Sequence, residues 1–279
     1  MFCLLNGNLV RQESAFIPVN DLTLRRGYGL FDFFRVKDNT CLYLQDHADR
    51  LFTGIRGLNL VINQDKNTLI QQIQQLVEAN NLKGASGIRI VVTGGSSPDG
   101  FTPSEANIII TQERFSEPNP LLYENGTSII SLEYRRELAT FKSVNYMNAV
   151  YMAPEMKRQG ATEILYHFWG AVSECTRSNV FCISNDILYT PVSDILHGIT
   201  RKRVLEIASG IMEVRAEDFS LQFLKEADEV FITSTIKRIL PVSRIDHSPV
   251  SDGNVGQVTR KLMYLLQKRD QEYSPKLDI

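Results

Sequence analysis

Short apolar runs broken by turn residues open the chain, and they predict β-structure before any helix. FCLL and NLV flank Asn6 and Gly7, two residues that tolerate positive φ, which is the signature of a two-residue hairpin. A second hairpin is expected from residues 30–36, a turn at Lys37, Asp38 and Asn39, and residues 41–44. Asp46 then offers a cap for a helix reaching about Arg56. Leu69, Ile73, Leu76 and Val77 recur at helical spacing and mark a second helix, closed near Gly84. Two buried-strand runs follow at residues 88–93 and 107–111. The loop that joins them, GGSSPDGFTPSE, has the length of a lid or binding loop.

ERFSEPNPL, residues 113–121, carries two prolines within three positions and reads as an extended linker. The expected organisation is a small N-terminal α+β domain over residues 1–114, a linker over 115–121, and a larger domain over 122–279. In the second part the pattern predicts a helix at 147–158, strands at 163–168 and 179–184, and a hairpin over Asn185 and Asp186 into 187–190. A helix at 200–209, a strand at 229–233 and a last amphipathic helix at 255–269 complete the series. No internal repeat interrupts it. Hairpin turns favour antiparallel or mixed sheets, so the fold class is α+β in two domains rather than a doubly wound parallel sheet.

Composition narrows the function. The 279 residues are 43% apolar and 22% charged, an ordinary globular mixture with a net charge of −2. That balance argues against a nucleic-acid partner, and no apolar run approaches the roughly 18 residues of a membrane span. The N-terminus has no basic n-region and turns after five residues, unlike a signal peptide. Cys3, Cys41, Cys175 and Cys182 lack CxxC spacing and read as buried free thiols of a reducing cytoplasm. The expectation is a soluble, cytoplasmic protein that handles small molecules, with no metal site.

Several residues could carry chemistry. Gly198, Ile199 and Thr200 open a helix whose first amide donors have no intrahelical partner, and Thr200 can cap it or donate to an anion. Ser234 and Thr235 follow an apolar strand and could supply a second set of donors. Lys142 lies among Phe141, Val144, Tyr146 and Met147, where it is either an imine-forming amine or a lysine snorkelling from a helix start. Glu174, between apolar runs, needs a partner such as Arg177 or a protonated ring nitrogen. Arg50 lies one helical turn after His47 and by itself reads as a surface ion pair, while His47 reads as a local hydrogen-bonding residue because no second ligand sits at metal spacing.

The order of these pieces resembles the class IV, or fold-type IV, aminotransferases, a pyridoxal-phosphate family. It includes branched-chain aminotransferase, D-amino acid aminotransferase and aminodeoxychorismate lyase. The match runs from NDLTLRRGYGLFDFFRV to the final helix through HADRL, FKSVNYMNAV, SECTRSNVF, LHGITR and EADEVFITST. The resemblance implies a D-amino acid aminotransferase-like two-domain fold and a homodimer, with pyridoxal 5′-phosphate in an active site near the subunit interface. It implies that Lys142 carries the cofactor as an imine and shuttles the proton, and that Glu174 faces the pyridine nitrogen. Arg50 would anchor the phosphate with Ile199, Thr200, Ser234 and Thr235. Leu196 would pack on the ring, and Tyr146 would reach the phenolic oxygen.

For the substrate, the resemblance leaves a choice. D-amino acid aminotransferases of the best-known type carry an arginine directly after the threonine of the strand at 88–93, and this chain has Gly94 there. Arg26 and Arg89 are the candidates to bind the substrate carboxylate in its place, while Phe31, with Phe33, suggests an apolar side-chain slot. The implied activity is amino transfer from a branched-chain L-amino acid or a D-amino acid to 2-oxoglutarate or a similar keto acid. The alternative is the lyase, releasing pyruvate and 4-aminobenzoate, which DFFRV disfavours because it lacks that enzyme's threonine.

Overall fold

Asn6 and Gly7 turn the chain through positive φ, 51° and 82°, and join β1 (Phe2–Leu5) to an antiparallel β2 (Asn8–Arg11), as their residue types predict. The computed structural model describes residues 1–273. The next elements are α1 (Leu22–Arg26), β3 (Gly29–Lys37) and β4 (Thr40–Cys41), with Asp38 and Asn39 at φ of 48° and 61° making the second hairpin turn. That hairpin is shorter than expected, because Leu44 already belongs to α2 (Leu44–Gly57). Asp46 does not cap α2: Tyr43 holds the cap position in a left-handed conformation, and Asp46 sits in the first turn, where a negative charge suits the helix dipole. α3 (Lys66–Asn80) closes on Asn81 at φ 42°, before Gly84 is reached. β5 (Ser86–Thr93) and β6 (Ile108–Arg114) complete a six-stranded sheet in the order β2-β1-β6-β5-β3-β4, every neighbour antiparallel.

Leu44, Ala48, Leu51 and Ile55 of α2 and Leu69, Ile73, Leu76 and Val77 of α3 form the apolar stripes that pack with Leu30, Phe34, Ile88 and Val92 of the sheet. Burial of each large side chain contributes about 1.5–3 kcal/mol. In β3 the alternation sends Leu30, Asp32, Phe34 and Val36 towards this core and Phe31, Phe33 and Arg35 to the opposite face. The contacts divide the chain into two units, and the cut is not a single one. Met1–Ser116 is joined by Phe141–Tyr146 and, among the described residues, by Tyr273, while Glu117–Thr140 and Met147–Glu272 form the second unit.

In the second unit α4 (Leu121–Asn125), β7 (Thr127–Glu133), α5 (Met147–Arg158), β8 (Glu163–Phe168), β9 (Ala171–Cys175), β10 (Asn179–Ser184) and β11 (Ile187–Thr190) follow one another. They are succeeded by α6 (Ile199–Ala208), β12 (Glu213–Ala216), α7 (Leu221–Lys225), β13 (Glu229–Ser234), β14 (Arg238–Ile245), β15 (Ser248–Pro249) and α8 (Gln257–Glu272). The sheet is mixed, in the order β12-β11-β10-β13-β14-β7-β8-β9, with β15 on β14. It closes on itself where β9 meets β10, at the pair Glu174 and Asn179. Residues opposite one another share a face, so Glu174, Asn179 and Thr233 form a row across three strands. Among the described residues no helix is long and apolar enough to cross a membrane.

Candidate functional site

Lys142 lies on no helix. Its segment is extended and docked on the first strand-half of β3: Phe31 N donates to Lys142 O at 2.9 Å, Val144 N donates to Gly29 O at 3.1 Å, and Leu30 bridges Ser143. Phe141 seats the segment against α2, so closely that a Cβ on Gly57 would stand 2.3 Å from the ring. This backbone grip sets the direction of the side chain, and Lys142 Nζ lies 4.5 Å from the centroid of Phe31. Tyr146 meets the same ring edge-on at 5.6 Å. The guanidinium of Arg89 is 5.7 Å from the Phe31 centroid and 5.2 Å from that of Phe33. The lysine amine, the tyrosine and Arg89 thus converge around one aromatic side chain.

Behind that face, Asp32 points into the core with no exposed surface. Arg50 Nε donates to its Oδ2 at 3.0 Å and Nη2 to its Oδ1 at 2.7 Å, while His47 Nδ1 is 2.8 Å from Oδ1. Burial by itself would raise the Asp32 carboxyl, but the charges and hydrogen bonds of Arg50 and His47 prevail and hold it well below the usual carboxylate range. His47 is driven the other way, its protonation disfavoured first by burial and then by Arg50 and Lys142 against the pull of Asp32. Arg50 is therefore not the surface ion pair that HADRL also allowed. It is a guanidinium fixed in a bidentate clamp, only 14% exposed, with its orientation set from below.

The two proposed carboxylate binders differ. Arg89 gives its Nε to both oxygens of Glu113, at 2.8 and 3.1 Å, and Thr111 Oγ1 steadies that carboxylate at 2.9 Å. Both Nη atoms of Arg89 remain uncommitted among the described residues. Arg26 is exposed at the end of α1, and its Nη1 donates to the carbonyl of Arg25 at 3.1 Å.

In the second unit, Glu174 finds a partner that sequence reasoning missed. Arg136 Nε and Nη2 lie 2.9 and 2.8 Å from its Oε1, while Leu196 N donates to Oε2 at 2.8 Å. Arg177, the partner suggested by proximity in sequence, turns instead to Glu163 at 3.3 Å. Asn179 Nδ2 donates to Leu196 O at 2.7 Å, so Glu174 and Asn179 together hold both backbone groups of that residue. Two residues on, Gly198 caps α6 at φ −66° without any side-chain bond. A Cβ there would come within 2.2 Å of Asn179 Oδ1. Thr200 is accordingly the second residue of α6, not its cap, and the amides of Ile199 and Thr200 head the helix where an anion is favoured. Ser234 ends β13 beside the row of Glu174, Asn179 and Thr233, and Thr235 starts the turn to β14.

These groups fit a planar ring cation bearing a phosphate. A buried carboxylate suits a protonated ring nitrogen, and hydroxyls with a helix N-terminus suit a dianion. Thr233 Oγ1 is buried without a hydrogen-bond partner among the described residues, an orphan that a bound ligand could satisfy. No group of three or more His, Cys, Asp or Glu that could hold a metal exists among the described residues. Asp32, Glu113, Arg136 and Asn179 were missed in the sequence. Only Asp32 had a signal there: it is the charge that breaks the core-facing stripe Leu30, Phe34, Val36.

The family model for amino-transferase class IV matches residues 29–245. The D-alanine aminotransferase of Listeria monocytogenes serotype 1/2a (strain 10403S) is 32% identical over 273 residues, covering 94% of this chain and 93% of that protein. A putative branched-chain-amino-acid aminotransferase of Methanocaldococcus jannaschii is 35% identical over 268 residues, 92% of each chain. Among solved structures, a branched-chain amino acid aminotransferase of Escherichia coli matches with a TM-score of 0.91 at 25% identity, over 99% of this chain and 97% of that one.

Proposed function

The chain belongs to the class IV aminotransferase family, and from that premise we propose that it moves the amino group of an apolar amino acid onto 2-oxoglutarate. The donor is D-alanine or a branched-chain L-amino acid, its side chain against Phe31 and Phe33. Pyridoxal phosphate, the family's cofactor, supplies when bound an electron sink for the substrate's Cα–H bond. Lys142 Nζ would hold the cofactor through its amine and, once the substrate's own amine has displaced it, would act as the base and acid that moves the Cα proton. Glu174, fixed by Arg136 and Leu196 N, keeps the ring nitrogen protonated. Arg50, Ile199, Thr200, Ser234 and Thr235 hold the phosphate, Leu196 covers the ring, and Tyr146 steadies the phenolic oxygen. Arg89, whose Nη pair is uncommitted, receives the second carboxylate of the acceptor, and Arg26 is the weaker candidate because it turns to solvent.

The observation that carries this reading is the placement of Lys142 Nζ over Phe31, in a segment gripped by β3 and flanked by Arg89. Borohydride treatment should attach the cofactor permanently to the peptide containing Lys142, read as a mass increment that Lys142→Ala lacks. A donor panel of L-Leu, L-Ile, D-Ala, D-Glu and aminodeoxychorismate, each with and without 2-oxoglutarate, tests the chemistry. Turnover of an apolar donor only in the presence of acceptor supports transamination. Pyruvate released from aminodeoxychorismate without acceptor identifies the lyase instead and overturns it. A homodimer in the cytoplasm is part of the proposal. Exposed Met147, Val150 and Tyr151 along α5 support the dimer, and four free buried cysteines support a reducing compartment.

A further inference from the structure

Glu163 opens β8 with a carboxylate that has no exposed surface, a costly place for a charge unless partners surround it. Lys237 Nζ donates to Oε1 at 2.5 Å, and Arg177 Nε lies 3.3 Å from the same oxygen. Thr176 Oγ1 and Arg177 N, the latter at 3.2 Å, donate to Oε2. Burial alone would raise this carboxyl, yet Lys237 and Arg177 draw it below its ordinary value, so it stays ionised. Lys237 is itself only 14% exposed, and Glu163 is the carboxylate its charge meets.

Every group on the carboxylate comes from one of two segments. Thr176 and Arg177 lie in the turn between Glu174 and Asn179, which Cys175 N closes by donating to Ser178 O at 2.7 Å. Lys237 lies in the turn between β13 and β14 and also reaches Ser178 Oγ at 3.5 Å. Its backbone N donates to Ser234 Oγ at 3.2 Å, and its carbonyl accepts from Tyr123 Oη at 3.0 Å. Because Ser234 Oγ accepts that bond, its hydroxyl proton is left to donate to another group. One buried carboxylate therefore ties the strand end that bears Glu174 to the turn that bears Ser234 and Thr235.

We propose that Lys237, anchored on Glu163, is a positioning residue that holds the turn of Ser234 and Thr235 in the geometry required to bind a phosphate monoester. The inference rests on the reading of Ser234 and Thr235 as phosphate donors. Stability by itself explains the pair poorly, since a buried ion pair gains little over well-packed apolar residues of similar volume. What it supplies is a fixed distance from the β8 end to the β13–β14 turn, set by one side chain bonded to Glu163 and Ser178.

The test is to titrate full-length enzyme, freed of cofactor, with pyridoxal 5′-phosphate and separately with pyridoxal, which differ only in the phosphate. Wild type is expected to prefer the phosphorylated compound. In Lys237→Met that preference falls about tenfold or more, the worth of one or two hydrogen bonds to a charged group, while pyridoxal affinity holds within about twofold. Lys237→Arg is expected to restore it. Because Lys237→Met strands a buried charge, the double variant Glu163→Gln, Lys237→Met is measured alongside, and it leaves no charge of the pair unmatched. A double variant that keeps the wild-type preference overturns the proposal, as does an equal loss for both compounds, which would make the role purely structural. Wild type that shows no preference for the phosphorylated compound overturns the phosphate reading of Ser234 and Thr235 itself.

Discussion

Arg50 and Asp32 meet through two near-parallel hydrogen bonds, Nε to Oδ2 at 3.0 Å and Nη2 to Oδ1 at 2.7 Å, and the carboxylate side of the pair is fully buried. Asp32→Asn keeps the shape but removes the charge that compensates Arg50. Breaking one side of a buried pair costs about 3–5 kcal/mol, and Arg50 keeps slight solvent access, so a loss of about 3 kcal/mol is expected. Urea unfolding at pH 7 measures it, and cofactor retention should fall in parallel. A variant as stable as wild type would show that the clamp does not matter.

Acid should act on the same pair. The folded-state carboxyl of Asp32 lies below the ordinary value of about 3.9, so its contribution is complete above roughly pH 4. It is lost as falling pH passes through the depressed value. The stability gap separating wild type from Asp32→Asn should stay level from about pH 7 to 5 and narrow below about 4. Burial disfavours protonation of His47, so protonation of the unfolded imidazole lowers the stability of both proteins alike and cancels in the gap. A gap that widens in acid contradicts the assignment.

Gly198→Ala places a methyl group 2.2 Å from Asn179 Oδ1. Asn179 must then move and release Leu196 O, which disturbs the entry to α6 without touching the core. Cofactor affinity should drop about tenfold while the unfolding midpoint changes little. Equilibrium dialysis of the cofactor, paired with a thermal melt, separates the two effects.

Glu113 places a negative charge on Arg89 at 2.8 Å, and the pair is about one-third exposed on both sides. Such a pair contributes roughly 0–1 kcal/mol to stability, so Glu113→Gln should fold normally. It removes a charge that opposes an incoming acid. The kcat/KM ratio of dicarboxylate to apolar substrates should therefore rise about threefold or more, mainly through KM. An unchanged ratio would place the acceptor's second carboxylate away from Arg89.

The thiols offer a simple check on burial. Burial pushes Cys41 and Cys182 up to about 12 and raises Cys3 and Cys175 as well. At pH 8 the native enzyme should resist a colorimetric thiol reagent, and four thiols should react once denaturant is added. Rapid labelling of any thiol in the native enzyme would contradict this packing.

Local signals were legible wherever a residue type dictates a backbone state. Asn6-Gly7 and Asn185-Asp186 occupy positive φ as hairpin turns, and the helical stripe of α3 packs as its spacing implies. Long-range partners left no such trace. Arg136 and Glu174 are 38 residues apart, and the nearer Arg177 was the natural but wrong partner. β14, which the sequence reading did not place, carries Pro241 and two arginines among its apolar residues. The fold tolerates Pro241 because pairing with β7 begins only at the next residue, Val242. Lys142 was recognisable within its motif, yet nothing local showed that its segment is an extended ribbon belonging to the first unit.

That ribbon has a consequence for synthesis. On the side away from β5, Gly29, Leu30 and Phe31 of β3 are met by the backbone of Lys142, Ser143 and Val144. A nascent chain halted at the linker would carry the first sheet with this apolar edge unshielded, open to pairing with other chains. Completion of the sheet thus waits on the ribosome delivering the segment that bears the reactive amine. A finished first unit is, by construction, one that already has its lysine in place.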